Sequence, residues 1–127
     1  CTDQNEKNIR RFFEKIDRGR LNMAWEPRGD WNANPKRIAS ICKDLRLIHI
    51  VDIMRRDPLS DHPVAYIRLH GLNAKEYDYR YDYSESELDQ LAHKLEGLAN
   101  EHKTVYSMFN NDNMFENAQS LMRRLKK

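Results

Sequence analysis

The sequence is short of cysteine, of long apolar runs and of any surplus of one charge, and each shortage excludes a class of protein. Cys1 and Cys42 are the only cysteines among 127 residues. Two cysteines make no disulfide scaffold, and Cys42 falls on a predicted apolar helix face, so a reduced, cytoplasmic protein is expected. No apolar stretch approaches the length of a membrane span, and no signal peptide is visible. Lys and Arg number 22 against 20 Asp and Glu, a net charge of +2. That balance gives no general pull toward nucleic acid or an anionic membrane. There is no repeat, no low-complexity segment and no internal linker, so residues 1–127 are expected to form one domain around one modest core. The chain opens at Cys1, which reads as a processed or trimmed start; a lipidated mature terminus is the alternative.

A mean hydropathy of −0.93 would suit a disordered chain, but the apolar residues are periodic. Ile9, Phe12, Phe13 and Ile16 have helical spacing, and Gly19 follows as a stop. Residues 21–27, LNMAWEP, read as a strand. Asn34-Pro35 is a helix entrance, with Asn as N-cap and Pro in the first turn. Ile38, Ile41, Cys42 and Leu45 form the stripe behind it. LIHIVD (47–52) and VAYIRLHG (64–71) are strands, with His49 in the core. The polar, proline-bearing stretch 55–63 stands where a helix would connect them. Ser84 and Glu87 make a capping box ahead of Leu88, Leu91, Ala92, Leu95, Leu98 and Ala99. KTVYSMFN (103–110) is the last strand. Phe115, Ala118, Leu121, Met122 and Leu125 are expected to face inward on a final helix with the basic end RRLKK (123–127). Strands alternating with helices predict parallel βα units and an α/β fold.

Polar residues gather where the strands finish: Glu26 and Arg28, Asp52, Arg68 and His70, then Asn110, Asn111 and Asp112. In parallel α/β folds that end carries the site. Alternation puts Tyr66, Arg68 and His70 on one side of their strand, and Ala65, Ile67 and Leu69 on the other. Ala24, Glu26 and Arg28 likewise share a side. Arg68 so placed needs an acid, and Glu26 or Asp52 could supply it.

The motifs MAWEPRGDW, LIHIVDIMRRDP, AYIRLHG, YDYRYDYSESEL and YSMFNNDNMFENAQSL, in this order and spacing, resemble the domain of unknown function 72 family of TIM-barrel-like proteins. The resemblance runs from about Ile9 to Leu125 and covers the later half of the family's barrel. It implies parallel βα units forming half of a TIM-like barrel, with a pocket at the strand ends, and no known reaction.

The candidate roles follow from side-chain chemistry. His70, Glu26 and Asp52 are the candidate catalytic groups, with His70 as general acid or base. Arg28, Arg68, Asn110 and Asn111 are the candidate substrate contacts, the arginines for a phosphate or carboxylate. Each has a structural alternative: a Glu26–Arg28 ion pair, a strand-bonded His70, an Arg68–Asp52 pair, and helix capping by Asn or Asp near 110–112. Glu26, Asp52 and His70 are of metal-ligating type, but no tight spacing supports a metal; no metal is assigned and no cofactor is identified. Tyr77, Tyr79, Tyr81 and Tyr83 alternate with Asp78, Arg80 and Asp82 in a long βα loop. It reads as a packed rim, a substrate lid or a base-stacking surface, the last weakened because the two acids offset Arg80. The leading expectation is an enzyme, or enzyme remnant, acting on an anionic small molecule or phosphate ester; the alternative is a non-catalytic binding module for nucleic acid or a protein. Four strands leave two open edges, so a homodimer or a separate barrel half is the expected partner.

Overall fold

The computed structural model describes residues 1–126; Lys127, the last residue of the basic end, lies outside them. Helix α1 (Asp3–Lys15) leads into strand β1 (Met23–Trp25), a 3-10 turn (Gly29–Ala33) and helix α2 (Pro35–Leu45). Strands β2 (Leu47–Val51) and β3 (Val64–Leu69) follow without a helix between them, then helix α3 (Glu85–Glu101), strand β4 (Thr104–Phe109) and helix α4 (Met114–Leu125). All neighbouring strands pair in parallel, in the order β1-β2-β3-β4. The result is an α/β fold, half of a TIM-like barrel open along both sides.

The helices cover one face of this sheet. Ala65, Ile67 and Leu69 of β3 are buried with Val51, Leu88, Leu91, Leu95 and Leu98. A second cluster joins Trp31 to Ile38, Ile41, Cys42, Leu45 and Leu47, with Trp25 edge-on to Trp31 at 5.1 Å. Burial pushes the Cys42 thiol up to about 12, and both cysteines are free thiols. The capping box forms as expected, Ser84 accepting from the Glu87 amide and Glu87 from the Ser84 amide.

Several expectations are corrected. The first strand is only three residues long, because Leu21 belongs to a turn, its amide donating to the Arg18 carbonyl at 2.8 Å. Asn34 precedes α2 but does not cap it; its side-chain amide donates back to the Asp30 carbonyl, at 2.8 Å. Helix α1 buries no residue, and Phe12 lies exposed. Ile9 and Phe13 lean on the second cluster, while Arg10 pairs with Glu6 and Asp44, and Arg37 with Asp3 and Glu6. Ala99 is exposed on α3. Helix α4 is turned from its expected face: Asn117, Ser120 and Leu121 are buried, whereas Phe115, Met122 and Leu125 are exposed. The rotation has a polar cause. Asn117 bonds Asn111 at 2.8 Å and Asp82 at 2.9 Å, so the helix is oriented by an amide inside the fold.

His49 anchors the helix-less connection 52–63. Its Nδ1 accepts from the Leu59 amide at 3.1 Å, and its own amide donates to Ser60 Oγ at 3.0 Å. Burial, with the nearby Arg56 charge, lowers its pKa from 6.5 to about 4. The unfolded chain therefore takes up the proton first as pH falls. This contribution to stability is complete above pH 6.5 and is lost progressively between pH 6.5 and about 4. Its full size is roughly 3 kcal/mol, at about 1.4 kcal/mol per pH unit. Chemical denaturation at pH 7, 6, 5 and 4.5 checks this: the unfolding free energy should fall with that slope, and His49→Asn, which keeps an acceptor there, should flatten it.

Candidate functional site

The parallel strands bring the expected polar residues to one end of the sheet. Glu26 lies just past β1, Asp52 just past β2, Arg68 in β3 with His70 beyond it, and Asn110 just past β4. Glu26 is the junction. Its Oε2 accepts from Arg68 Nη1 at 2.7 Å and from Arg28 Nη2 at 3.0 Å. Its Oε1 lies 3.2 Å from His70 Nε2, off the axis of a hydrogen bond. Arg68 therefore takes Glu26, not Asp52, as its acid. Contact with the Glu26 carboxylate holds the Arg28 guanidinium above its usual range.

Asp52 does different work. Fully buried, it accepts from the Met54 amide through Oδ1 and from the His70 amide through Oδ2, both at 3.0 Å. Two backbone donors offset much of the cost of burying this group. His70 Nδ1 is 3.7 Å from the same Oδ2, too far for a hydrogen bond. The imidazole is thus 1% exposed, flanked by two carboxylates, with neither ring nitrogen hydrogen-bonded. Buried polar groups are normally paired, so an imidazole enclosed with both nitrogens unpaired is an exception within this fold. Among the described residues no group of three or more His, Cys, Asp or Glu side chains is arranged to hold a metal ion.

The tyrosine stretch closes over this cluster and divides in two. Tyr77 and Tyr79 flank His70, with ring centroids at 5.3 and 5.8 Å. The Arg28 guanidinium sits 4.4 Å from the centre of the Tyr77 ring, a cation–π contact. Burial, and then Glu76, raises the Tyr77 pKa. Tyr81 and Tyr83 point the other way. Tyr83 is buried against Phe109 and accepts from the Gly71 amide at 2.9 Å. Tyr81 donates to Glu87, and burial followed by that contact pushes its pKa up to about 12.

This loop is fastened along its length. Arg55 donates to the Gly71 and Asn73 carbonyls, Arg56 grips Glu76 at 2.5 and 2.7 Å, and Asp112 donates its amide to the Tyr79 carbonyl. Arg80 pairs with Asp78 on the surface. The loop is a packed rim that presents two tyrosines to His70, and its arginine is occupied.

Asn110 and Asn111 part company. Asn110 stands at the site's edge, its amide donating to the Leu69 carbonyl at 2.8 Å. Asn111 is buried, and its amide group donates to the Tyr81 carbonyl and to Asn117. It is engaged beneath the rim, not at the cluster. The N-cap position of α4 falls to Asn113 and not Asp112. Sequence reasoning missed Arg55, Arg56, Glu76 and Asn117; the adjacent arginines three and four residues after Asp52 were the available signal.

The family model described as "Protein of unknown function DUF72" matches residues 1–127. No curated protein matches. A DUF72 family protein from Enterococcus faecalis superposes with a TM-score of 0.75 at 24% identity, over 100% of this chain and 57% of its own. One from Thermotoga maritima superposes with a TM-score of 0.81 at 21% identity, over 100% of this chain and 54% of its own. The chain thus spans little more than half the length of these solved structures, and at such identities the likeness shows the fold alone.

Gly71 tests how tightly the rim is set. Its φ is +95°, and an added Cβ would lie 2.6 Å from Tyr81 Cγ. Gly71→Ala should cost at least about 2 kcal/mol, from the left-handed backbone and the overlap together. In a double-mutant cycle by urea denaturation, Tyr81→Gly, which removes both the Cβ that the added methyl meets first and the ring, should recover part of that loss, and strict additivity would show that the two residues do not collide.

Proposed function

We propose, starting from the fact that this chain belongs to the DUF72 family, that the cluster at the carboxyl end of its sheet binds an anionic small molecule, a phosphate ester or carboxylate, with His70 as the proton-transfer group. The observation that carries this reading is the sharing of one carboxylate by two guanidiniums. Arg28 and Arg68 both bond Glu26 Oε2, so neither guanidinium has that carboxylate to itself, while Asp52 brings the formal charge of the two arginines and two acids to zero. An incoming anion would compete with Glu26 for them, and Arg28, half exposed at the rim, is the freer of the two to turn toward it.

The same geometry gives His70 its role in this reading. Glu26 and Asp52 position the imidazole while leaving its ring nitrogens without hydrogen bonds. A general acid or base needs a nitrogen within about 3 Å of the reacting atom. Tyr77 and Tyr79 would wall the site and keep water from one side of the ring. Arg68, tied to Glu26 on the sheet surface, would fix the anion's position more than its affinity.

Titration calorimetry against a panel of phosphate esters and small carboxylates checks the binding. At least one should bind, and Arg28→Gln should weaken it about tenfold, the equivalent of 1.4 kcal/mol. His70→Gln should leave that affinity within about twofold while abolishing turnover of the bound ester. No binding across the panel, or an affinity indifferent to Arg28→Gln, would remove the reading.

A further inference from the structure

We propose that the amino end of the sheet, opposite the Glu26–His70 cluster, carries a separate binding site for a phosphate dianion, whether free phosphate or the end of a phosphate monoester. The site is a cavity of about 230 Å³ lined chiefly by Arg18, Arg20, Asn22, Arg46 and His62. Asn22 directly precedes β1, Arg46 directly precedes β2, and His62 stands two residues before β3. Parallel strands thus bring these side chains together from three separate connections. No residue of the cavity belongs to the cluster at the carboxyl end.

The arginines here are used unlike most others in the chain. Seven of the thirteen arginines form ion pairs with acids. Among the described residues the other six have no acid, and Arg18, Arg20 and Arg46 of those six meet at this one cavity. No Asp or Glu stands among the described residues that line it. Two acids close to these residues in sequence are engaged elsewhere: Asp17 accepts from the Gly19 amide at 3.1 Å, and Asp44 pairs with Arg10. Asp61 lies in an adjoining cavity beside Arg46 and His62, and no ion pair joins it to either among the described residues. Arg18 serves the fold, its Nη2 donating to the Leu45 carbonyl at the end of α2, at 2.8 Å. Arg20 and Arg46 are exposed, and among the described residues their side chains make no hydrogen bond.

The backbone of Arg46 adds a second argument. Its φ of +51° and ψ of +52° are left-handed, and among the described residues it is the one non-glycine with a positive φ. The position after a helix ordinarily falls to glycine when the chain turns this way. An arginine there costs stability that glycine would not, and no bond of its guanidinium within the described chain offsets that cost. Across the cavity, Gly19 takes a left-handed turn in which the Leu21 amide donates to the Arg18 carbonyl at 2.8 Å. That turn sets Arg18 and Arg20 in place before any ligand arrives. His62 accepts from the Val64 amide through Nδ1 at 3.0 Å, which puts the ring hydrogen on Nε2 and makes it a further donor.

Charge selects the ligand. Two guanidiniums without acids, beside a third that caps a helix, match an anion of more than one charge. A phosphate monoester carries about −1.5 to −2 at pH 7 and three acceptor oxygens suited to the guanidinium fork. A carboxylate or a phosphodiester brings a single charge.

Titration of the ¹⁵N-labelled chain with inorganic phosphate, phenyl phosphate, dimethyl phosphate and acetate at constant ionic strength tests this, read by amide chemical shifts. Inorganic phosphate and phenyl phosphate should both move the amides of Arg20, Asn22 and Arg46 along one saturating curve. Dimethyl phosphate and acetate should bind at least about tenfold more weakly. Arg20→Gln should weaken phosphate about tenfold. Arg46→Gly should weaken it similarly while raising the melting temperature, because it removes the guanidinium and relieves the backbone together. Arg123→Gln, at an exposed arginine outside the cavity, should change neither. Equal binding of all four anions, no saturable phosphate binding, or an Arg20→Gln affinity matching that of Arg123→Gln would overturn the inference. So would shifts confined to Glu26, Arg28, Arg68 and His70, a result that would leave the reading of the carboxyl-end cluster standing.

Discussion

The buried carboxylate of Asp52 ties the end of β2 to the end of β3, and most of what surrounds the site depends on that tie. One oxygen holds the amide that turns the chain after β2; the other holds the amide of His70. The Asp52 carbonyl also accepts from the amides of Arg55 and Arg56. Those two arginines then reach across to the loop after β3. A single residue, through its carboxylate and its carbonyl, thus fixes the direction of the chain leaving two strands, the height of the imidazole and the starting point of the clasp that holds the tyrosine rim. Neighbouring parallel strands cannot be linked by a tight hairpin, so the Asp52 bridge reinforces at their ends the register that the backbone ladder sets.

Glu26 is the complementary element. It follows the edge strand and is nearly enclosed, and its carboxylate lies against Arg28, Arg68 and His70. Asp52 organises backbone, whereas Glu26 organises the side chains of Arg28, Arg68 and His70. The two carboxylates sit on either side of one imidazole and hold it by different means: one through its backbone amide, the other through proximity to the ring. Removing either would move His70, but by different routes.

Much of this was legible in the sequence because it follows from periodicity. The element order, the buried stripes of α2 and α3 and the pairing of Arg68 with an acid across the sheet all follow from spacing and alternation. The strand-end clustering of Glu26, Asp52 and His70 follows from parallel topology. What was not legible involves polar groups acting over long sequence distances. Nothing local distinguishes Asn117 from a solvent-facing residue, yet its bonds to Asn111 and Asp82 rotate α4 away from its most apolar face. The four tyrosines share one pattern, but Gly71 beneath Tyr81 and His70 beneath Tyr77 and Tyr79 divide them into core and rim. Arg56 and Glu76 lie twenty residues apart, and only the folded chain shows them as a pair.

The helix-less crossover has a kinetic consequence. Between β2 and β3 the chain has only residues 52–63 to bring round, whereas β3 and β4 are separated by residues 70–103. Closing a loop costs more as it lengthens, by about 0.6 kcal/mol for each doubling. The β2–β3 pairing is therefore the cheapest long-range event open to the unfolded chain. It also brings Asp52 and His70 together before α3 or β4 has docked. On this ordering the polar end of the sheet is assembled in the folding nucleus, and the helices and the tyrosine rim condense around a site already laid down.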